Sequence, residues 1–274
     1  MFPRIEAFGH SDVGCVREVN EDNFLCVDLS PHGGAGFRPG SYLLAVADGI
    51  GGHAGGSVAS DLAVQTLRAE VRILDGREPR ECLLDVFQRA NRLIFEKSVR
   101  EPDLTGMGTT LAAAIVIGTR VVAANVGDSR LYLFRDGDLS QVTEDHSWAA
   151  EQRRRRLLSE HDIRHSPFRS MITRSLGYAE EVIVDMFAVE AEEDDVLLFC
   201  TDGLHGLVPG KRIAKILKKN RDPKATSQAL IEAAKAEGGD DNVTVVIARF
   251  SPSRNDRPAF STNTVRISAL PEDP

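Results

Sequence analysis

The chain has 274 residues, 42% of them apolar and 27% charged, which is enough for one large domain or two small ones with a sizeable core. A net charge of −8 argues against a nucleic-acid partner, whose binding footprint is basic, and suits a site that gathers divalent cations. Four cysteines without a CxxC pair exclude a zinc cluster and a disulfide framework. No run approaches the roughly 18 apolar residues of a membrane span, and the N-terminus has no apolar signal core, so a cytoplasmic protein with no membrane partner is expected.

In chain order, residues 4–10 and 23–28 read as strands, with a polar turn region between them that holds Arg17, Glu18, Glu21 and Asp22. Residues 30–40, with four glycines and two prolines, read as a surface loop. Leu43 to Ala47 is a buried-looking strand ending on Asp48, and five glycines fall in the eight residues from Gly49 to Gly56. A helix is expected over 56–74, and a second from Pro79 on, where Leu83, Phe87, Ala90 and Ile94 repeat at helical spacing. Runs at 109–117, 120–125 and 130–134 form a strand meander, with a turn at 135–138. Residues 145–170 are polar, carry Arg153 to Arg156 in a row, and read as a helix followed by a flap. Strands at 182–189 and 194–201, helices at 209–220 and 223–237, and a strand at 242–250 complete the domain. The expectation is an α+β fold in four layers, two antiparallel sheets face to face with helix pairs outside, spanning residues 1–250. Residues 251–274 hold four of the twelve prolines and read as a tail, with one edge strand at 264–267.

The chemistry concentrates at strand ends. Asp48-Gly49 and Asp202-Gly203 each terminate an apolar run, Asp241 opens the last strand, and Glu21 and Asp22 precede another. The end of one antiparallel strand lies beside the start of its neighbour, so these carboxylates can converge at one end of the sheets. Clustered carboxylates resist ionisation unless cations neutralise them, and an all-oxygen set suits Mg²⁺, Mn²⁺ or Ca²⁺. Two such ions about 4 Å apart can activate a water and clamp a phosphoryl oxygen. Arg17 brings a planar fork that fits phosphate, or else a surface salt bridge to Glu18 or Glu21.

Eight segments occur in a telling order. They run from Ser11-Asp12-Val13-Gly14 through Arg17 to Asn20-Glu21-Asp22, then Ala47 to His53, Gly106 to Thr110, and Val126-Gly127-Asp128-Ser129-Arg130. Asp145-His146-Ser147, Ile172 to Gly177, Thr201-Asp202-Gly203-Leu204 and Asp241-Asn242-Val243-Thr244 follow. On these residues the chain resembles the metal-dependent protein phosphatases, the type 2C serine/threonine class, in their bacterial form, over residues 9–250. The resemblance implies a phosphoprotein phosphatase built as a β-sandwich with flanking helix pairs. It implies two divalent cations, Mn²⁺ or Mg²⁺, bridged by Asp48, with the Gly49 carbonyl on the metals and Asp202 and Asp241 holding one of them. Glu21 and Asp22 would act through metal-bound waters, and Arg17 would grip the phosphate. Asp128 would help hold a third, weaker metal with Asp202; its other reading is a turn aspartate in a hairpin. A bridging hydroxide would attack phosphorus in line, without a phosphoenzyme. The partners implied are phosphorylated proteins, among them a bacterial serine/threonine kinase or its substrates, and a monomer is expected.

Two features depart from the wider family or extend it. Eukaryotic members carry a proposed acid, His, directly after the Asp-Gly pair, where this chain has Ile50; His53 reads as a loop-structuring residue, which leaves the leaving-group proton to a metal-bound water. The Arg153–Arg156 run reads either as a solvated helix face or as a surface that meets acidic or phosphorylated partners. Against the phosphatase stand a pseudophosphatase acting as a binding module, which should have lost a metal carboxylate, and a nucleotide-binding enzyme, for which the glycine loop has neither Gly-x-Gly-x-x-Gly nor P-loop spacing.

Overall fold

The computed structural model describes residues 3–30, 40–51, 55–71 and 77–252. Strands β1 (Arg4–Asp12), β2 (Asn23–Asp28), β3 (Ser41–Ala47) and a two-residue β4 (Gly49–Ile50) precede helices α1 (Gly55–Val71) and α2 (Pro79–Arg100). Strands β5 (Gly108–Thr109), β6 (Leu111–Ile117), β7 (Arg120–Val126), β8 (Arg130–Arg135) and β9 (Asp138–Gln141) form the meander. Two short helices, α3 (Trp148–Arg155) and α4 (Glu160–His165), lead to β10 (Asp185–Glu190) and β11 (Val196–Cys200). Helices α5 (Asp202–His205), α6 (Gly210–Lys219) and α7 (Pro223–Ala236) then precede β12 (Val243–Ser251). The proline-rich tail from 253 on, its edge strand at 264–267 and His53 lie outside the described residues.

One sheet runs β1-β12-β11-β8-β9 and the other β10-β7-β6-β3-β2, with antiparallel pairing throughout. Alternate residues sort each strand between two cores. In β3, Leu43 and Ala45 face α1 and α2, whereas Leu44 and Val46 face the opposite sheet. In β11, Val196 and Leu198 meet α6 and α7, whereas Leu197 and Phe199 point inward. Three apolar layers separate four structural ones, which is the α-β-β-α sandwich. Because both faces are covered, these strands read as continuous apolar runs even though their pairing is antiparallel. Phe199 and Phe250, fully buried between the sheets, contribute about 1.5–3 kcal/mol each. On the outside, Asp222 caps α7 by accepting from Ala225 N at 2.8 Å, and Pro223 opens its first turn.

Three expectations shift. The strand expected at 182–189 begins at Asp185, because Val182 is buried in the α2 layer and Gln88 Nε2 donates to its carbonyl at 2.8 Å. The flap holds two helices instead of one, each capped by a serine: Ser147 accepts from Ala150 N and Ser159 from Asp162 N. Asp202 does more than end a strand, since it begins the short α5. No helix among the described residues is long and apolar enough to cross a membrane.

Candidate active site

The inner layer between the sheets changes character at one rim. Continuing the inward-facing positions past the apolar residues leads to Asp22 before β2, Asp48 after β3, Thr110 before β6, Ser129 before β8, Thr201 after β11, Asn242 before β12 and Thr244 on it. These residues bond to one another. Thr201 Oγ1 donates to Asp22 Oδ2 at 2.8 Å, Thr110 and Ser129 share a hydroxyl bond of 2.7 Å, and Asp48 N donates to Thr110 Oγ1 at 2.9 Å. Thr109 Oγ1 and Thr110 N both donate to the Asp48 carbonyl, so its backbone is fixed on both sides. The ladders bring the strand ends together: Asn23 pairs with Ala47, and Cys200 with Val245.

Both Asp-Gly glycines are required by close backbone approach. A Cβ on Gly49 would lie 2.3 Å from the Gly56 carbonyl oxygen and 2.6 Å from that of Glu21, and one on Gly203 would lie 2.0 Å from the Asn242 oxygen. Any side chain at either position would push the carboxylate-bearing segments apart.

Electrostatics show what is assembled. Asp48 is held well above the usual carboxylate range, first by burial and then by the charges of Asp22, Asp202, Asp128 and Asp241. Burial likewise pushes Asp22 up to about 7 and Asp128 up to about 8, and raises Asp202. Asp128, 7% exposed, has a buried Oδ1 with no hydrogen-bond partner; the same is true of Asp202 Oδ1 and Glu21 Oε1. Asp128 is thus more than a hairpin-turn residue, and His205 Nε2 donates to its carbonyl at 3.0 Å. Buried oxygens with neither proton donor nor water-like partner are the groups a hard cation satisfies. The acidic set therefore fits divalent ions chemically, although among the described residues no three His, Cys, Asp or Glu side chains already stand in coordinating geometry.

Arg17 pairs with neither Glu18 nor Glu21. Its Nη2 donates to Asp241 Oδ2 at 2.7 Å, and Asp241 raises its pKa most. The structure thus brings Asp22, Asp48, Asp128, Asp202, Asp241, Glu21 and Arg17 to one rim. A cavity of about 380 Å³ borders Asp128, Asp202 and Asp241 and is closed from the flap side by Arg153 and Arg169. The four arginines do not form a single face: Arg154 pairs with Glu144, Arg155 with Glu151, and Arg156 is the left-handed cap of α3. Cys200 is buried and its thiol is pushed up to about 12, which removes it as a nucleophile.

Sequence reading singled out the carboxylates but gave no role to Asn242. Its Oδ1 accepts from Glu21 N at 2.8 Å, and its Nδ2 donates to the Val13 and Val19 carbonyls at 3.0 Å each. It pins the loop carrying Arg17, Glu21 and Asp22 to the start of β12. Its only signal in the sequence is its position beside Asp241.

Comparisons with known proteins agree with this architecture. A profile described as protein phosphatase 2C matches residues 21–242. The serine/threonine phosphatase stp of Listeria monocytogenes is 38% identical over 256 residues, covering 91% of this chain and 97% of that protein. The serine/threonine protein phosphatase PstP of Mycobacterium tuberculosis is 39% identical over 244 residues, covering 87% of this chain and 43% of that one. Among solved structures, the S. agalactiae serine/threonine phosphatase superposes with a TM-score of 0.83 at 31% identity, covering 90% of this chain and all of that one. The catalytic domain of PstP in complex with two manganese ions gives 0.75 at 35% identity, covering 90% and 98%. A profile match that starts at Glu21 and ends at Asn242 encloses every carboxylate of the rim, from Glu21 to Asp241, and the chain belongs to the protein phosphatase 2C family.

Proposed function

We propose that the chain is a serine/threonine phosphoprotein phosphatase, a metal-dependent phosphoric monoester hydrolase. Its Asp48, Asp202 and Asp241 carboxylates and the Gly49 carbonyl hold two divalent cations, Mn²⁺ or Mg²⁺. The observation that carries this reading is the unpartnered Oδ1 of buried Asp202 within a set of mutually repelling carboxylates. The two manganese ions in the similar PstP domain support the choice of metal. Two bound cations supply a nucleophile from water at neutral pH and neutralise charge on the phosphoryl oxygens. Asp128, with Asp202, is the place for a third, weaker ion, and Glu21 and Asp22 orient water around the pair.

Arg17 uses one nitrogen on Asp241, which leaves Nε and Nη1 for phosphate oxygens. Ile50 has no titratable atom, and burial holds His205 down at about 3, so neither protonates the departing seryl or threonyl oxygen. That proton comes from solvent. Hydrolysis of p-nitrophenyl phosphate and of a phosphothreonine peptide that requires Mn²⁺, stops with EDTA and resumes on adding Mn²⁺ back is the expected result; turnover indifferent to EDTA would end this reading.

The substrates are phosphoproteins, and the biological role is to oppose a serine/threonine kinase. Four unpaired thiols suit the cytoplasm, and helix pairs covering both outer sheet faces suit a monomer. The flap arginines serve acidic substrates, since Arg153 borders the same cavity as Asp202. Replacing Arg153 to Arg156 with glutamine lowers kcat/KM for an acidic phosphoprotein by about fivefold and for p-nitrophenyl phosphate by less than about twofold. Equal losses on the two substrates would assign the run to a solvated face.

A further inference from the structure

We infer that the apolar groove beside Ile50 is a side-chain subsite of the catalytic cleft, which takes one apolar residue of the phosphoprotein close in sequence to its phosphoserine or phosphothreonine. The inference rests on the phosphatase reading and adds a substrate class to it.

A second cavity, of about 510 Å³, lies on the other side of the flap turn. Ile50, Phe95, Met107, Ile172 and Tyr178 line it, and among the described residues none of its lining is charged. Ser170 borders both this cavity and the one that reaches Asp128, Asp202 and Asp241, so the two adjoin at that residue and form neighbouring halves of the region around the flap base. The chain also connects them. Ile50 follows Asp48-Gly49 directly and pairs with Gly108 in the β4–β5 ribbon, and that ribbon is tied to the flap base by the Thr109–Leu176 bridge.

The two halves differ in chemistry. One offers carboxylates for cations and arginines for anions; the other offers only apolar and small neutral groups. Tyr178, which lines this cavity, is 84% exposed, so its ring is open to a ligand entering the apolar half. A ligand that fills both halves carries a phosphate and an apolar group joined by a short linker. An extended phosphopeptide, advancing about 3.3 Å per residue, meets that description, and the cavity has room for an apolar side chain together with its flanking backbone. Ile50, which cannot act as an acid, thereby gains a role as the wall between phosphate and side chain.

The test is a set of phosphothreonine peptides on a serine–glycine background, with leucine placed at one position at a time on either side of the phosphoresidue. The readout is the ratio of kcat/KM for each leucine peptide to that of the parent, with Mn²⁺ present. The expected result is one position at which leucine raises kcat/KM about tenfold in the wild type, with the ratio falling towards unity in Tyr178→Asp and in Phe95→Ser. Because the ratio is internal to each enzyme, a partial loss of activity in one variant does not obscure it. Flat ratios in a wild type that turns over p-nitrophenyl phosphate overturn the groove alone. Ratios that persist in both variants overturn it as well. A wild type inactive on p-nitrophenyl phosphate overturns the phosphatase reading and the groove with it. Flat ratios together with self-association that Tyr178→Asp abolishes would assign the groove to a second copy of this chain.

Discussion

Asp202→Asn is expected to move activity and stability in opposite directions. With saturating Mn²⁺, kcat/KM falls about a thousandfold or more, because losing a carboxylate from the metal set removes several kcal/mol of transition-state charge stabilisation. In metal-free protein the same substitution raises stability by about 1–2 kcal/mol, since Asn keeps the shape of the side chain and removes a buried charge among like charges. The pH dependence carries the sign. Asp22 and Asp128 titrate near 7 and 8 in the folded protein and near the ordinary carboxylate value when unfolded. A carboxyl whose folded pKa is raised binds its proton more tightly in the folded state, so metal-free protein loses stability as pH rises from about 4 towards 8. Mn²⁺ reverses that loss and adds about 2.7 kcal/mol at a hundredfold excess over its dissociation constant. Melting curves of wild type and variant, with EDTA and with Mn²⁺ at pH 6 and pH 8, check each element. A metal-free variant less stable than wild type at pH 8 would show that Asp202 is a structural carboxylate and not a metal ligand.

The opposing effects of this one residue explain why the centre of the site was legible in the sequence. An apolar run ending in Asp-Gly conflicts with local rules, because a carboxylate continues a strand whose other inward positions are Leu197 and Phe199. Such a conflict is visible without a structure, and it occurs twice, at Asp48 and Asp202. The order of elements was legible for a related reason: β3, β6, β11 and β12 are covered on both faces and stand out as uninterrupted apolar runs. What those runs could not reveal is which residues face which core. Strand β9 left no trace, since of its residues only Leu139 packs against a core and the rest are polar. The stretch at 182–184 misled in the opposite direction, because Val182 and Val184 pack in the α2 layer and Ile183 stays exposed, so none of them joins the sheet. The need for glycine at Gly49 and Gly203 was legible only in part: the constraint is a backbone 2.0–2.6 Å from where a Cβ would stand, which depends on segments distant in the chain. The partner of Arg17 was illegible on the same ground, since Asp241 lies 224 residues away.

Asn242→Ala should lower kcat/KM for p-nitrophenyl phosphate about a hundredfold without removing any group that meets metal or phosphate. Asn242 is 5% exposed and makes three side-chain bonds to one loop, to Glu21 N and to the Val13 and Val19 carbonyls. Alanine leaves all three backbone groups without their protein partner in a partly hydrated loop, a cost of about 1–3 kcal/mol in stability. The loop is also held by Cys15 N on the Gly239 carbonyl, at 2.8 Å, and by the Lys235–Asp12 pair beside it, so it loosens without detaching. A shift of about 1 Å in a phosphate-binding side chain is enough for a hundredfold loss. If Asn242 acts by placing Arg17, the two are not independent. Arg17→Ala then loses a similar factor, and the double variant loses little more than either single one. The affinity of inorganic phosphate as a competitive inhibitor should fall in parallel, which a general loss of folded protein would not produce. Multiplicative losses in the double variant, or unchanged phosphate affinity in Asn242→Ala, would place the role of Asn242 elsewhere in the loop, at Glu21 or Asp22.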